Sequence, residues 1–375
     1  MALLSNVMIS GGGTGGHIHP ALAIADEIRR RNPEARIHFV GALGRMEMDK
    51  IPAAGYPIDG LWISGIDRSL TSTRNLTFPF KLVSSLWKAR RLLRKHRPQV
   101  VVGVGGFASG PLLDQAVRKG IPTLIQEQNS YPGITNKLLA NRVNRICAGL
   151  PGLQRFFPAD RIVETGNPLR THVCDLASDA SGSREEALAH WGLTQDKPVV
   201  FVMGGSLGAQ SMNEAVQAIL SKQPRLSERG YQVLWQCGAR FEASCSAWLK
   251  AHPCDGVVCS GFIDRMDLAY RASTVIASRA GAMSIAELAL VGKPSILVPS
   301  PHVAEDHQTH NARSLTDLGG AVLLADVEVR EKLGHHLTAL LSNADRCAGM
   351  AEAMKHAAKP EAARAVVDEL ESLLA

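Results

Sequence analysis

The chain has 375 residues, which at roughly 100 to 200 residues per domain suits two domains, each long enough to bury its own core. Apolar residues make up 45% and charged residues 20%, an ordinary globular balance that excludes disorder, collagen and coiled coil. The net charge is only +6, yet residues 68–97 carry Arg68, Arg74, Lys81, Lys88, Arg90, Arg91, Arg94, Lys95 and Arg97 with no Asp or Glu among them, so this stretch is expected to face something anionic.

No run approaches the roughly 18 uninterrupted apolar residues of a spanning helix, and the apolar start at residues 1–9 meets glycines instead of a cleavage site. A cytoplasmic location is expected. The seven cysteines, Cys147, Cys174, Cys237, Cys245, Cys254, Cys259 and Cys347, are odd in number and contain no C-x-x-C pair, so they read as reduced thiols and not as a disulfide framework or zinc knuckle.

In chain order, the apolar run 7–9, the glycine turn 11–17 and the amphipathic stretch 21–31 read as strand, turn and helix. Runs at 37–40, 100–104, 123–125, 199–203, 233–235, 257–259, 275–277 and 295–298 repeat the strand signal, with a further helical stretch at 284–291. The fold class is therefore α/β, with parallel sheets buried on both faces. VMISGGGTGGHIHPALAIADEI near the start resembles VVFVMGGSLGAQSMNEAVQAIL half a chain later, a partial internal repeat that opens each half with a strand, a glycine turn and a helix. The expected organisation is a first Rossmann-like domain over 1–168, a polar, strandless linker over 169–197, a second Rossmann-like domain over 198–347, and a helical segment over 348–375.

Five glycines in six positions, Gly11 to Gly16 with Thr14 between them, let backbone N–H groups approach a ligand at a helix N-terminus, which suits a phosphate or diphosphate. A tight turn without a ligand fits the same residues. A dinucleotide site is disfavoured, because no Asp or Glu closes the strand at 37–40. His17 ends the turn, where a neutral imidazole can take a proton from a sugar hydroxyl, or simply cap and pack; His19, next to Pro20, reads as structural.

The second turn, Gly204-Gly205-Ser206-Leu207-Gly208-Ala209, repeats the anion-site logic with a hydroxyl added. Next, SRAGAMSIAE at 278–287 follows a strand and begins a helix, which puts Glu287 within two turns of the helix start. A carboxylate there suits a ribose diol, or is merely favoured by the helix dipole. The polar stretch HVAEDHQTHN at 302–311 lacks Cys and HExxH spacing, so it reads as a sugar-contacting loop with His307, Gln308 and Asn311 as donors, and no metal is expected.

Taken together, GGGTGGHIHP (11–20), GVGGFASGP (103–111), QEQNSYPGITNK (126–137), GNPLR (166–170), GGSLGAQSMN (204–213), GFIDRM (261–266), SRAGAMSIAE (278–287) and EDHQTHNA (305–312) resemble, in order, the MurG family of bacterial peptidoglycan glycosyltransferases. The resemblance implies the two-domain GT-B architecture with a deep cleft between the domains. It also implies transfer of N-acetylglucosamine from UDP-GlcNAc to the 4-hydroxyl of the muramyl sugar in lipid I, giving lipid II with inversion, without a metal and without a cofactor.

Carried over by motif, Gly12, Gly13, Gly105 and Gly106 face the acceptor diphosphate, and Thr14, Gly15, Gly16, Asn129 and Arg170 reach the donor. Ser206 meets the UDP phosphates, Ile263 the uracil, Ala282, Met283, Ser284, Ile285, Ala286 and Glu287 the nucleotide, and Gln308 the sugar hydroxyls. Some family members have His where this chain has Gln126, so His17 is the favoured base and Glu127 the lesser candidate.

The resemblance gives the basic stretch a partner. Leu76, Phe78, Phe80, Leu82, Val83 and Trp87 lie among its cations, the mixture expected of a segment resting on an anionic bilayer at the cytoplasmic face of the inner membrane, without spanning it. An ordinary amphipathic helix with a solvated basic face is the plainer reading. Nucleic acid is not expected as a partner, because the rest of the chain is not basic; other cell-wall synthesis proteins are. A UDP-GlcNAc 2-epimerase, another soluble sugar-nucleotide enzyme of the same fold, or a non-catalytic UDP-sugar-binding module remain the alternatives.

Overall fold

The computed structural model describes residues 3–65, 76–175, 182–205 and 207–374. The chain forms two compact units: Met1–Arg170 with Pro360–Ala375, and Thr171–Lys359.

The first unit is built on a seven-stranded parallel sheet in the order β3-β2-β1-β4-β5-β6-β7. Its strands are β1 (Asn6–Ser10), β2 (Arg36–Ala42), β3 (Ile58–Leu61), β4 (Val100–Gly103), β5 (Thr123–Glu127), β6 (Arg145–Ala148) and β7 (Ile162–Glu164). Central strands such as NVMIS and VVVG are buried at every position, as a sheet covered on both faces requires. One face carries Met8, Val101 and Ile125 against Leu112 and Leu92; the other carries Val7, Ile9 and Val102 against Ile24 and Ile28.

The second unit repeats the plan with six parallel strands in the order β10-β9-β8-β11-β12-β13. These are β8 (Val199–Met203), β9 (Gln232–Gln236), β10 (Val257–Ser260), β11 (Val275–Ser278), β12 (Ser295–Leu297) and β13 (Ala321–Leu323). In both sheets the chain order reverses beside the first strand of the unit. Glycine turns follow the C-terminal ends of β1, β4, β8 and β11, where open parallel sheets bind ligands.

Two features differ from the sequence expectation. The segment 348–375, expected as a helical segment after the second domain, is divided between the units: Ala344–Ala357 belongs to the second, and Ala362–Ser372 returns to the first. Pro360 interrupts the helical pattern, and beyond it Val366, Val367 and Leu370 bury in the core beside Leu4, Ile24 and Ile28. Ion pairs from Arg31 to Asp368 (2.8 Å) and Glu371 (3.0 Å), and from Arg145 to Glu369 (2.9 Å), fix its register. The stretch 169–197 is not a bare linker either. Its Arg184–Trp191 helix starts at a capping box between Ser183 and Glu186, buries Ala187 and Leu188, and packs on the Met266–Ala272 helix of the second unit.

Candidate functional site

In the first unit the turn after β1 lies against the turn after β4. Gly106 has φ +87°, and a Cβ on it would stand 2.5 Å from the Gly12 carbonyl oxygen. A Cβ on Gly105 would stand 2.7 Å from the His17 ring. Both positions therefore exclude side chains so that the two turns can touch. His17 sits in the first turn of the Gly15–Arg31 helix, and its Nδ1 lies 2.9 Å from the Gly12 carbonyl oxygen and 3.4 Å from the Thr14 hydroxyl. A carbonyl can only accept, so Nδ1 carries the proton and Nε2 is the basic nitrogen.

The same turn holds a residue the sequence did not single out. Glu47, fully buried at the start of the Glu47–Ala53 helix, accepts from the Gly13 N–H through Oε2 (2.8 Å) and from the Ala42 N–H through Oε1 (3.0 Å). A Cβ on Gly12 would stand 2.2 Å from this carboxylate. The Gly13 amide, expected to face a diphosphate, is thus directed at an internal carboxylate. Thr14, Gly15 and Gly16 open the helix with no side-chain cap and lie half-buried to exposed.

Glu127, at the end of β5, is buried and accepts four hydrogen bonds. Oε1 takes the Asn129 N–H (3.0 Å) and side-chain amide (3.3 Å), and Oε2 takes the Gly133 N–H (3.2 Å) and the Asn136 amide (2.7 Å). With these four bonds it organises the loop carrying Asn129. Gln126 is also fully buried. Its amide donates to Asn167 Oδ1 (3.0 Å), its carbonyl accepts from Gln128, and Asn167 donates to the Gln128 carbonyl (3.0 Å). This network ties QEQN to the GNPLR segment that ends in the half-buried Arg170.

In the second unit Gly208 and Gly238 are in close approach: a Cβ on Gly238 would stand 2.3 Å from Gly208 Cα. Ser206 lies outside the described residues. The Ala282–Val291 helix begins after Gly281, as the sequence suggested, and places Glu287 in its second turn. The buried Tyr270 hydroxyl donates to Glu287 Oε2 at 2.7 Å and so orients the carboxylate. Ala282 and Ile285 are buried, while Met283, Ser284 and Ala286 are half-buried. Ile263 is buried.

The SRAG turn is braced by groups the sequence did not reveal. Arg279 donates to Asp326 (2.6 Å), Ser211 (2.9 Å) and the Val298 and Pro299 carbonyls (3.2 Å each). Asn311 is fully buried and donates to the Ala280 carbonyl (3.3 Å). Gln308 is half-buried; its carbonyl accepts from the Ser300 N–H (2.9 Å), which directs its amide N–H groups elsewhere. Just before it, Glu305 (φ 54°) and Asp306 (φ 48°) are consecutive left-handed non-glycine residues, the kind of local strain that clusters at ligand sites.

Two doubly wound parallel sheets with glycine turns at their strand ends are the domain plan of the GT-B fold, which MurG shares. The glycosyltransferase family 28 N-terminal domain matches residues 7–148 and the family 28 C-terminal domain residues 199–367. The chain belongs to this family. It is 48% identical to the UDP-N-acetylglucosamine--N-acetylmuramyl-(pentapeptide) pyrophosphoryl-undecaprenol N-acetylglucosamine transferase of Christiangramia forsetii, over 98% of this chain and 97% of that one. It is 46% identical to the protein of the same name in Parabacteroides distasonis, over 98% of both chains. Among solved structures, Acinetobacter baumannii MurG superposes with a TM-score of 0.75 at 27% identity, over 98% of this chain and 99% of that one.

Proposed function

We infer that the chain transfers N-acetylglucosamine from UDP-GlcNAc to the 4-hydroxyl of MurNAc in lipid I, forming lipid II and UDP in peptidoglycan synthesis. The observation that carries this reading is near-complete coverage at 44–48% identity by relatives bearing that activity in their names. Incubating the purified protein with UDP-GlcNAc and lipid I tests it: release of UDP together with lipid II is expected, and release of neither overturns it.

The proposed step is one inverting displacement. His17 Nε2 takes the proton of the acceptor hydroxyl, the oxygen attacks C1 of the sugar, and the bond from C1 to the UDP oxygen breaks with its electron pair leaving on UDP. The Nδ1 contact to Gly12 supports the base role, because it fixes the tautomer in which Nε2 can accept. The glycine turn after β8 and the start of the Ala282–Val291 helix supply backbone N–H groups for the departing diphosphate, a task other transferases give to a metal. Glu287, oriented by Tyr270, accepts from the ribose diol. Gln308 donates to sugar hydroxyls, and the Asn129 loop and Arg170 complete the donor contacts. Gly105 and Gly106, together with what the Glu47 contact leaves of the first turn, face the acceptor diphosphate.

Membrane attachment is part of the same proposal. No helix among the described residues is long and apolar enough to cross a bilayer. The Phe78–His96 helix and the residue leading into it nevertheless expose Leu76, Phe80, Val83 and Trp87, each between 65% and 75% accessible, at the i, i+4, i+7, i+11 spacing of one helical face. Arg91 and Arg94 continue that stripe, with the Arg91 guanidinium 6.0 Å from the Trp87 ring. Phe78 and Leu82 turn inward instead, and Lys88 donates to the Gly60 carbonyl (2.6 Å), so these three serve the fold. Arg68 and Arg74 lie outside the described residues. The exposed face suits an anionic membrane surface at the cytoplasmic side of the inner membrane.

A further inference from the structure

The second unit contains a pocket of about 620 Å³ at the N-terminal ends of β11 and β12, whereas its glycine turns follow the C-terminal ends of β8 and β11. Its walls come from the start of the Arg184–Trp191 helix, the turn at Ser273 and Thr274, the end of the Ala282–Val291 helix, and the Ala344–Ala357 helix. It is an open depression, which would hold a small ligand against its walls without enclosing it.

The lining combines an apolar body with a one-signed charge. Val291, Pro294, Ala348 and Ala351 form the apolar part, and Arg184, Lys293 and Lys355 supply three cations. The Thr274 hydroxyl accepts from the Val199 N–H (3.1 Å) and the Ser273 hydroxyl donates to the Tyr270 carbonyl (2.7 Å), so neither competes for these cations. Lys355 lies with its stem across Gly292, where a Cβ would stand 3.0 Å from Lys355 Cγ, and among the described residues its ammonium meets only the exposed Glu352, at 3.9 Å. The Lys293 carbonyl accepts from the Ser295 hydroxyl (2.9 Å), while its half-buried side-chain ammonium makes no hydrogen bond or ion pair among the described residues. Burial, together with the like charges of Arg184, Arg271 and Lys355, pushes its amine below the usual lysine range.

One cation would suffice for the end of the Ala282–Val291 helix, whose C-terminus carries about half a negative charge. Three cations around one apolar cavity exceed that need, and a dianion is the ligand that matches them. We infer that this pocket is a second anion site, separate from the nucleotide site, which takes a soluble phosphate monoester carried on an apolar or aromatic body.

The test uses the full chain with UDP present at saturation, after a UDP titration that examines the donor reading on its own. Phenyl phosphate is then titrated calorimetrically against the wild type, Lys293→Met and Arg184→Ala, with inorganic phosphate as a second probe. Expected are one further site for phenyl phosphate, inorganic phosphate at least tenfold weaker, and a tenfold or greater loss for phenyl phosphate in each variant with UDP affinity unchanged. Arg184 is exposed and its replacement should leave the melting temperature unaltered, which keeps the test decisive even where Lys293→Met folds poorly. Absence of binding under UDP saturation, equal affinity in wild type and Arg184→Ala, or inorganic phosphate as tight as phenyl phosphate each overturns the assignment.

Discussion

The turns after β1 and β8 descend from the same pattern of strand, glycines and helix, yet they are wired differently. In the first, a buried carboxylate closes the loop from within: Glu47 holds the Gly13 and Ala42 amides, and the Gly12 carbonyl holds the His17 ring. In the second, the glycines press on a neighbouring glycine at Gly238, and the carboxylate of that unit sits on a separate helix as Glu287, held by a tyrosine. A turn whose amides are tied to an internal anion is suited to positioning a base, and a turn that shows no such anion among its described residues is suited to receiving one. The comparison predicts that damage to the His17 turn appears in turnover and damage at Glu287 in donor binding.

The largest effect should follow His17→Ala. Removing a general base lowers kcat by about 10² to 10⁴-fold, with only a modest change in donor KM. Near-normal kcat by UDP release would erase the contrast between the turns and send the proton to water.

On the donor side, Glu287→Ala removes two hydrogen bonds to a charged acceptor, each about 1.5–3 kcal/mol, so donor KM should rise at least about a hundredfold at 1.4 kcal/mol per decade. Tyr270→Phe removes only the orienting hydroxyl and should give a smaller rise in the same parameter. An unchanged donor KM in Glu287→Ala removes it from the ribose site.

Glu47→Ala leaves two amide donors unpaired in a buried turn, at about 1–3 kcal/mol each. Urea denaturation should show that loss of stability, and kcat should fall while donor KM holds. A variant as stable as the wild type would show that Glu47 does not set the turn.

Much of this was legible in advance, and the remainder has a common cause. Strands rich in Val and Ile, such as β4 and β8, announce themselves by composition, whereas β3 (IDGL), β6 (RICA), β7 (IVE) and β13 (AVL) are too short or too mixed to separate from loops. The glycine turns, His17 and Glu287 stand inside local motifs and could be found from them. Glu47, Arg279 with Asp326, and Tyr270 act across distance: Arg279 meets Asp326 47 residues on, and Tyr270 meets Glu287 17 residues on. No local spacing encodes such pairs. The four donors to Glu127 were hidden for the same reason, since they converge only when the loop folds back on β5.

The proposed membrane face sharpens the comparison further, because the Phe78–His96 helix that carries it lies in the first unit. Each basic residue near an anionic surface contributes roughly 1 kcal/mol, so reversing Arg90, Arg91 and Arg94 to Glu should abolish flotation with anionic liposomes. KM for long-chain lipid I should rise while turnover of a short-chain soluble acceptor stays nearly intact. Lys88 is left unchanged, because its bond to Gly60 would confuse a folding defect with a membrane one. A triple variant that still floats, or that loses both acceptors equally, would remove this face from the membrane.

The smallest expected effect is none at all, and it concerns chelation. Helix ends and backbone amides stabilise charge without a metal, so kcat should be the same with and without EDTA. Among the described residues the metal-capable cluster is His38, Asp59 and His96, with His38 Nε2 3.0 Å and His96 Nε2 4.0 Å from Asp59 Oδ2. His96 ends the helix that leads into β4, which puts the cluster toward the N-terminal ends of the strands, whereas the glycine turns follow their C-terminal ends. A metal bound there would lie a strand's length from His17, and stripping it could change stability without changing the chemical step. Loss of kcat on chelation, restored by Mg²⁺ or Mn²⁺, would mean that neither turn neutralises the leaving diphosphate by itself, and the division of labour between the two units would have to be redrawn.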